Sequence, residues 1–107
     1  PVVLFPLEER MIDDLRDEID KIDKKMVELL SQRAEIALEI GEEKNKEGRE
    51  VTDREREKAV LDRVKKLNNG PFSGEQLERV YRTVMSEMKK IQEEVGANDS
   101  RNEARGD

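Results

Sequence analysis

From residue 7 to residue 46 the chain contains no proline and a single glycine, Gly41. Over the same stretch apolar side chains recur at Leu15, Ile19, Ile22, Met26, Leu29 and Leu30, then at Ile36, Ala37 and Ile40. Spacings of four and three alternate, which keeps one face of a helix apolar. The pattern predicts one helix of about 40 residues, roughly 60 Å long at 1.5 Å per residue. A short polar loop follows at Lys46-Glu47-Gly48-Arg49-Glu50. Thr52 with Glu55 fits a capping box and opens a second helix over 53–67, its stripe being Val60, Leu61, Val64 and Leu67. Asn68-Asn69-Gly70-Pro71 ends it, because Gly accepts a left-handed cap and Pro blocks continuation. Ser73 with Gln76 repeats the capping signal for a third helix over 74–95, with Leu77, Val80, Tyr81, Val84, Met85, Met88 and Ile91 on its buried face. Residues 1–6 then form an N-terminal extension, 7–95 a helical domain, and 96–107, without periodicity, a disordered tail.

So few apolar residues, 34% of 107 against 45% charged, cannot fill a large monomeric core. The two shorter helices laid end to end span roughly 55 Å, close to the length of the first. An all-α protomer with one long helix and two shorter ones along it is therefore expected. Three helices make an open layer, and a helical homodimer is the economical way to cover the remaining stripe.

The absence of Cys and His removes disulfides, thiolate and imidazole catalysis, and His- or Cys-ligated metals. A net charge of -6 and three aromatic residues argue against a nucleic-acid partner. No apolar run approaches the roughly 18 residues of a membrane span, and Pro1-Val2-Val3-Leu4-Phe5 lacks the basic start of a signal peptide. A soluble, cytoplasmic chain is expected.

Several polar residues break the apolar stripes. The four-three spacing carries Arg33 and Lys44 onto the face of Leu29 and Ile40, about 16 Å apart along the helix. In the second helix Glu57 and Asp53 fall on the face of Val60, and in the third Gln92 lies one turn after Met88. Two readings remain open. Arg33 or Lys44 can pair with Glu57 between helices, or long side chains can snorkel to water. Alternatively, the polar groups converge on a pocket for an anionic ligand. Glu42, Glu43, Glu47, Lys65, Lys66, Lys89 and Lys90 read as a solvated surface, and Met26, Met85 and Met88 as core filler or pocket wall.

In this order and spacing the residues resemble the all-helical class of chorismate mutases over about residues 7–95. The pieces are Leu15-Arg16 with Ile19-Asp20-x-Ile22-Asp23, Leu29-Leu30-x-x-Arg33, Ile40-Gly41-x-x-Lys44, Val51-x-Asp53-x-x-Arg56-Glu57, and Met85-Ser86 through Gln92. The linker Asn68-Asn69-Gly70-Pro71-Phe72 is also similar to that of mutase-like domains fused to the first enzyme of the shikimate pathway.

The resemblance implies an intertwined dimer of three-helix protomers that rearranges chorismate to prephenate without cofactor or metal. Such a unimolecular, pericyclic reaction needs orientation of a dianion and donors to the ether oxygen as its C–O bond breaks. By the same resemblance, Arg33 would hold one carboxylate and the partner subunit's Arg16 the other. Lys44 and Gln92 would donate to the ether oxygen, Lys44 touching a carboxylate as well. Glu57, with Asp53 nearby, would receive the ring hydroxyl, Arg56 would frame the site, and Ile40 and Met85 would wall it. Met88 stands where many members carry a small hydroxyl residue that assists a carboxylate, and Glu50 replaces a common Pro. Arg16 precedes Arg33 by about 25 Å along one helix, too far for both to hold one small molecule, which is why Arg16 is assigned to the partner's site. A regulatory mutase-like module that binds prephenate or chorismate to control an attached synthase is the alternative, and a plain helical scaffold is a third.

Overall fold

The computed structural model describes the backbone of residues 7–105, with side chains from 11 to 97. Three helices follow one another: α1 (Leu7–Glu47), α2 (Arg54–Leu67) and α3 (Gly74–Arg105). Strands are absent among the described residues. The N-terminal extension at 1–6 lies outside them. No described helix is long and apolar enough to cross a membrane.

The chain divides into two units, Pro1–Arg33 and Ala34–Asp107. In the first, the described residues are the N-terminal part of α1. The stripe that spacing predicts there is formed, and its side chains lie open: Leu15, Ile19, Ile22, Met26 and Leu29 are each more than half exposed. Burying one such side chain contributes about 1.5–3 kcal/mol, so this face forgoes a large stabilisation in a single chain.

In the second unit the core consists of Ala37, Val60, Leu61, Val64 and Met88. Val60, Leu61 and Val64 are the predicted stripe of α2, whereas Leu67, its last residue, is 68% exposed.

Local chemistry sets the helix ends. Gly48, at φ +69°, lets its N–H reach the Asn45 carbonyl at 3.3 Å and the Arg49 N–H reach the Lys44 carbonyl at 2.8 Å. This is the Schellman pattern, for which Gly is preferred because the left-handed backbone costs it nothing. The cap of α2 corrects the Thr52–Glu55 expectation by one residue. Asp53 is the extended cap residue, and its Oδ1 accepts from the Arg56 N–H at 3.0 Å. Thr and Asp are both competent caps, and the anionic oxygen complements the positive helix start better than a hydroxyl. At α3 the predicted box is formed in both directions: the Gln76 N–H donates to Ser73 Oγ at 3.1 Å and the Ser73 N–H to Gln76 Oε1 at 2.9 Å.

The backbone of α3 continues to Arg105, past the Val95 boundary that periodicity predicts, so the segment from Gly96 expected to lack order is helical that far. No proline interrupts it, and one internal glycine costs a helix only about 1 kcal/mol relative to Ala. Within α3 Glu78 accepts from Arg82 at 3.0 Å, and across to α2 it pairs with Lys65 at 3.4 Å. The Arg82 hydrogen bond, opposed by desolvation and assisted by Lys65, holds its carboxyl below the ordinary value.

Candidate active site

Lys44 sits in the last turn of α1 and is fixed at both ends. Its carbonyl accepts from Arg49 through the Gly48 turn. Its ammonium donates to the Val51 carbonyl at 2.8 Å and to Gln92 Oε1 on α3 at 3.3 Å. The turn thus returns the loop over the lysine it anchors. An ammonium has three N–H groups, of which two are engaged here, leaving one to donate. Because Gln92 accepts through Oε1, its Nε2 is left as a donor as well. Both residues are half-buried, so the pair offers two N–H donors from a partly dehydrated place.

Close approach of the two helices makes this contact possible. Gly41, one turn before Lys44, is buried against Gln92, and a Cβ built on it would stand 3.1 Å from the Gln92 Cα. No other residue type allows that approach without movement.

A second cluster lies between α2 and α3. Glu57, Arg82, Met85, Ser86 and Lys89 line an open cavity of about 200 Å³. The Glu57 carboxylate is half-buried, and among the described residues no ion pair joins it to Lys44. For Lys44, pairing of that kind is therefore replaced by the contact with Gln92. Met85, Lys89 and Gln92 follow at spacings of four and three, so the cavity wall and the Lys44–Gln92 pair share one face of α3.

The remaining expected site residues are placed as follows. Asp53 is half-buried and uses Oδ1 as the helix cap, leaving its second oxygen available. Arg56 contributes its N–H to that cap and is exposed. Ile40 is 44% exposed. Met88 is packed in the core at 7% exposure while its neighbours Met85 and Lys89 wall the cavity, so its side chain serves packing in this chain. In the first unit Arg33 is half-buried, and Arg16 is exposed with Asp13 at 3.8 Å.

Lys89, Arg82 and Ser86 are the lining residues that sequence reasoning missed. The Lys89-Lys90 doublet looks like a uniform surface, yet only Lys90 behaves so, exposed and donating to Glu87 at 3.0 Å. Lys89 is half-buried at the cavity. Its distance of three residues from Gln92 and four from Met85 is the signal that distinguishes it.

Comparison with known proteins shows what this arrangement is similar to. Residues 15–93 match the family model of chorismate mutase type II. A bifunctional chorismate mutase/prephenate dehydratase of Aquifex aeolicus is 33% identical over 88 residues, which are 78% of this chain and 24% of that protein. A chorismate mutase of Methanocaldococcus jannaschii is 41% identical over 54 residues, covering 50% of this chain and 54% of the relative. The chain thus spans well under two thirds of these relatives' length. The solved structure of chorismate mutase (form II) from Thermus thermophilus superposes with a TM-score of 0.76 at 28% identity, covering 78% of this chain and 94% of that one.

Proposed function

The chain belongs to the chorismate mutase type II family, and from that premise we propose that it converts chorismate to prephenate as a cytoplasmic homodimer. In this reaction the bond from the ether oxygen to the ring breaks while the enolpyruvyl methylene carbon bonds to the ring carbon that carries the carboxylate. All atoms stay within one molecule, and no external acid, base or nucleophile is consumed.

The Lys44–Gln92 pair is the observation that carries this reading. As the C–O bond lengthens, negative charge gathers on the ether oxygen, and a donor present only for that charge lowers the barrier selectively. Lys44 keeps one N–H and Gln92 its Nε2 group for such an oxygen, and neither has to reorganise, since each holds the other. Arg33 binds one carboxylate, the partner subunit's Arg16 the other, and Lys44 touches a carboxylate in addition. Glu57, with the second oxygen of Asp53, accepts the ring hydroxyl. Arg56 frames the opening, and Ile40 and Met85 press the compact conformer from the apolar side.

The uncovered stripe of the first unit supports the homodimer. Leu15, Ile19, Ile22, Met26 and Leu29 are open on a helix too polar to lodge elsewhere, and a second copy of the same stripe would cover them. Relatives named as bifunctional chorismate mutase/prephenate dehydratase also support working beside an enzyme that consumes prephenate.

The test is the loss of chorismate absorbance on adding the purified chain, with prephenate formed in equal amount. Multiple turnovers are expected. A folded dimer that binds prephenate and leaves chorismate unchanged would instead identify a regulatory module.

A further inference from the structure

We propose that Gly41 is a positioning residue: its missing side chain sets the approach at which the Lys44 ammonium and the Gln92 amide share a hydrogen bond and face one oxygen. This rests on the chorismate-rearrangement reading of the same pair. A Cβ at Gly41 would meet Gln92 at Cα, Cβ and Cγ, at 3.1, 3.2 and 3.2 Å. Two of these atoms belong to the backbone and the root of the side chain, so rotation about Gln92's outer bonds cannot relieve the contact. Relief requires α3 to move at Gln92 itself. The Lys44–Gln92 bond is already 3.3 Å long, near the outer edge of useful hydrogen-bond geometry, and a few tenths of an ångström more would break it.

Gly96 provides an internal comparison. It lies in α3 and faces the end of α1, but a Cβ there would stand 3.7 Å from Asn45 Oδ1, an ordinary van der Waals contact. Close approach is therefore needed at Gly41 and not at Gly96. Both glycines weaken their helices relative to Ala, so the same substitution at both separates helix propensity from positioning.

The experiment compares Gly41→Ala and Gly96→Ala in the full chain, each with and without Gln92→Ala. Gly41→Ala is expected to lower kcat at least about tenfold with KM changed less than about threefold and helical content retained, because small misplacement of a catalytic donor is costly. Gly96→Ala is expected to leave kcat unchanged. In the Gly41→Ala background, Gln92→Ala should cost much less than it does alone, since the donor is already displaced. Unchanged kcat in Gly41→Ala, failure of that variant to fold, or a full additional loss from Gln92→Ala would each overturn the proposal and leave Gly41 a packing residue. A wild-type chain that does not turn over chorismate would remove the reading of the reaction. The positioning claim then stands on the Gln92 side-chain amide resonance, which Gly41→Ala should shift and Gly96→Ala should not; an unmoved resonance overturns it.

Discussion

The Lys44 ammonium donates at once to the Val51 carbonyl at 2.8 Å and to Gln92 Oε1 at 3.3 Å, tying the last turn of α1 to the loop behind it and to α3. Each residue therefore holds the other as a donor. Replacing Lys44 by Ala should lower kcat by about 10²–10³-fold, and Gln92→Ala by about 10²-fold, the range for loss of a donor to a developing oxyanion. The double variant should lose far less than the product of the two factors, because each single change frees its partner. Steady-state kinetics of the three variants checks this, and independent, multiplicative losses would contradict it.

Lys89 should act on binding more than on turnover. It is a half-buried cation on the cavity wall, one turn from Gln92. Lys89→Met is expected to raise KM for the dianionic substrate about fivefold, with kcat little changed, the signature of lost uniform binding. Lys90→Met, at the exposed neighbour paired with Glu87, should change neither constant.

Gly48 should matter for stability. At φ +69° an L side chain is strained, and the turn's two hydrogen bonds close on Asn45 and Lys44. Gly48→Ala should lower the unfolding free energy by about 1 kcal/mol in urea titration. An unchanged midpoint would show that the turn adapts.

Glu78 makes part of the stability pH-dependent. Arg82 and then Lys65 hold its carboxyl below the ordinary value of 4.5. Its contribution is therefore fully present above that value and is lost as pH falls through the lower value of the folded chain. Wild type should melt higher than Glu78→Gln at neutral pH, and the difference should close as the solution is acidified below the ordinary carboxylate range. Because its partners Arg82 and Lys65 are exposed to solvent, added salt should shrink the difference too.

Features encoded within a turn or two of helix were legible in the sequence. The long first helix, the Ser73–Gln76 box and the core stripe Val60, Leu61 and Val64 depend on spacing alone, and spacing is local. Lys44, Gln92 and Glu57 stand out because each interrupts or edges a stripe, whereas Met85 belongs to one, and spacing does not say which of them meet. Lys44 is bound by the carbonyl of Val51, a backbone atom brought round by the Gly48 turn, and no side-chain pattern announces a carbonyl. The cap fell to Asp53 instead of Thr52 because two competent oxygens are adjacent and their difference is a fraction of a kcal/mol. Lys89 escaped notice because two consecutive lysines look alike in sequence, while on a helix they point about 100° apart.

Mixing two inactive variants tests the composite site most directly. If Arg33 acts in its own chain's site and Arg16 in the partner subunit's site, Arg16→Ala and Arg33→Ala are each inactive as homodimers. Co-refolding them in equal amounts forms heterodimers in which one site receives both arginines intact and the other neither. Random pairing then predicts recovery of about a quarter of wild-type chorismate turnover. A mixture no more active than its separate components, with heterodimers demonstrably present, would contradict the shared site.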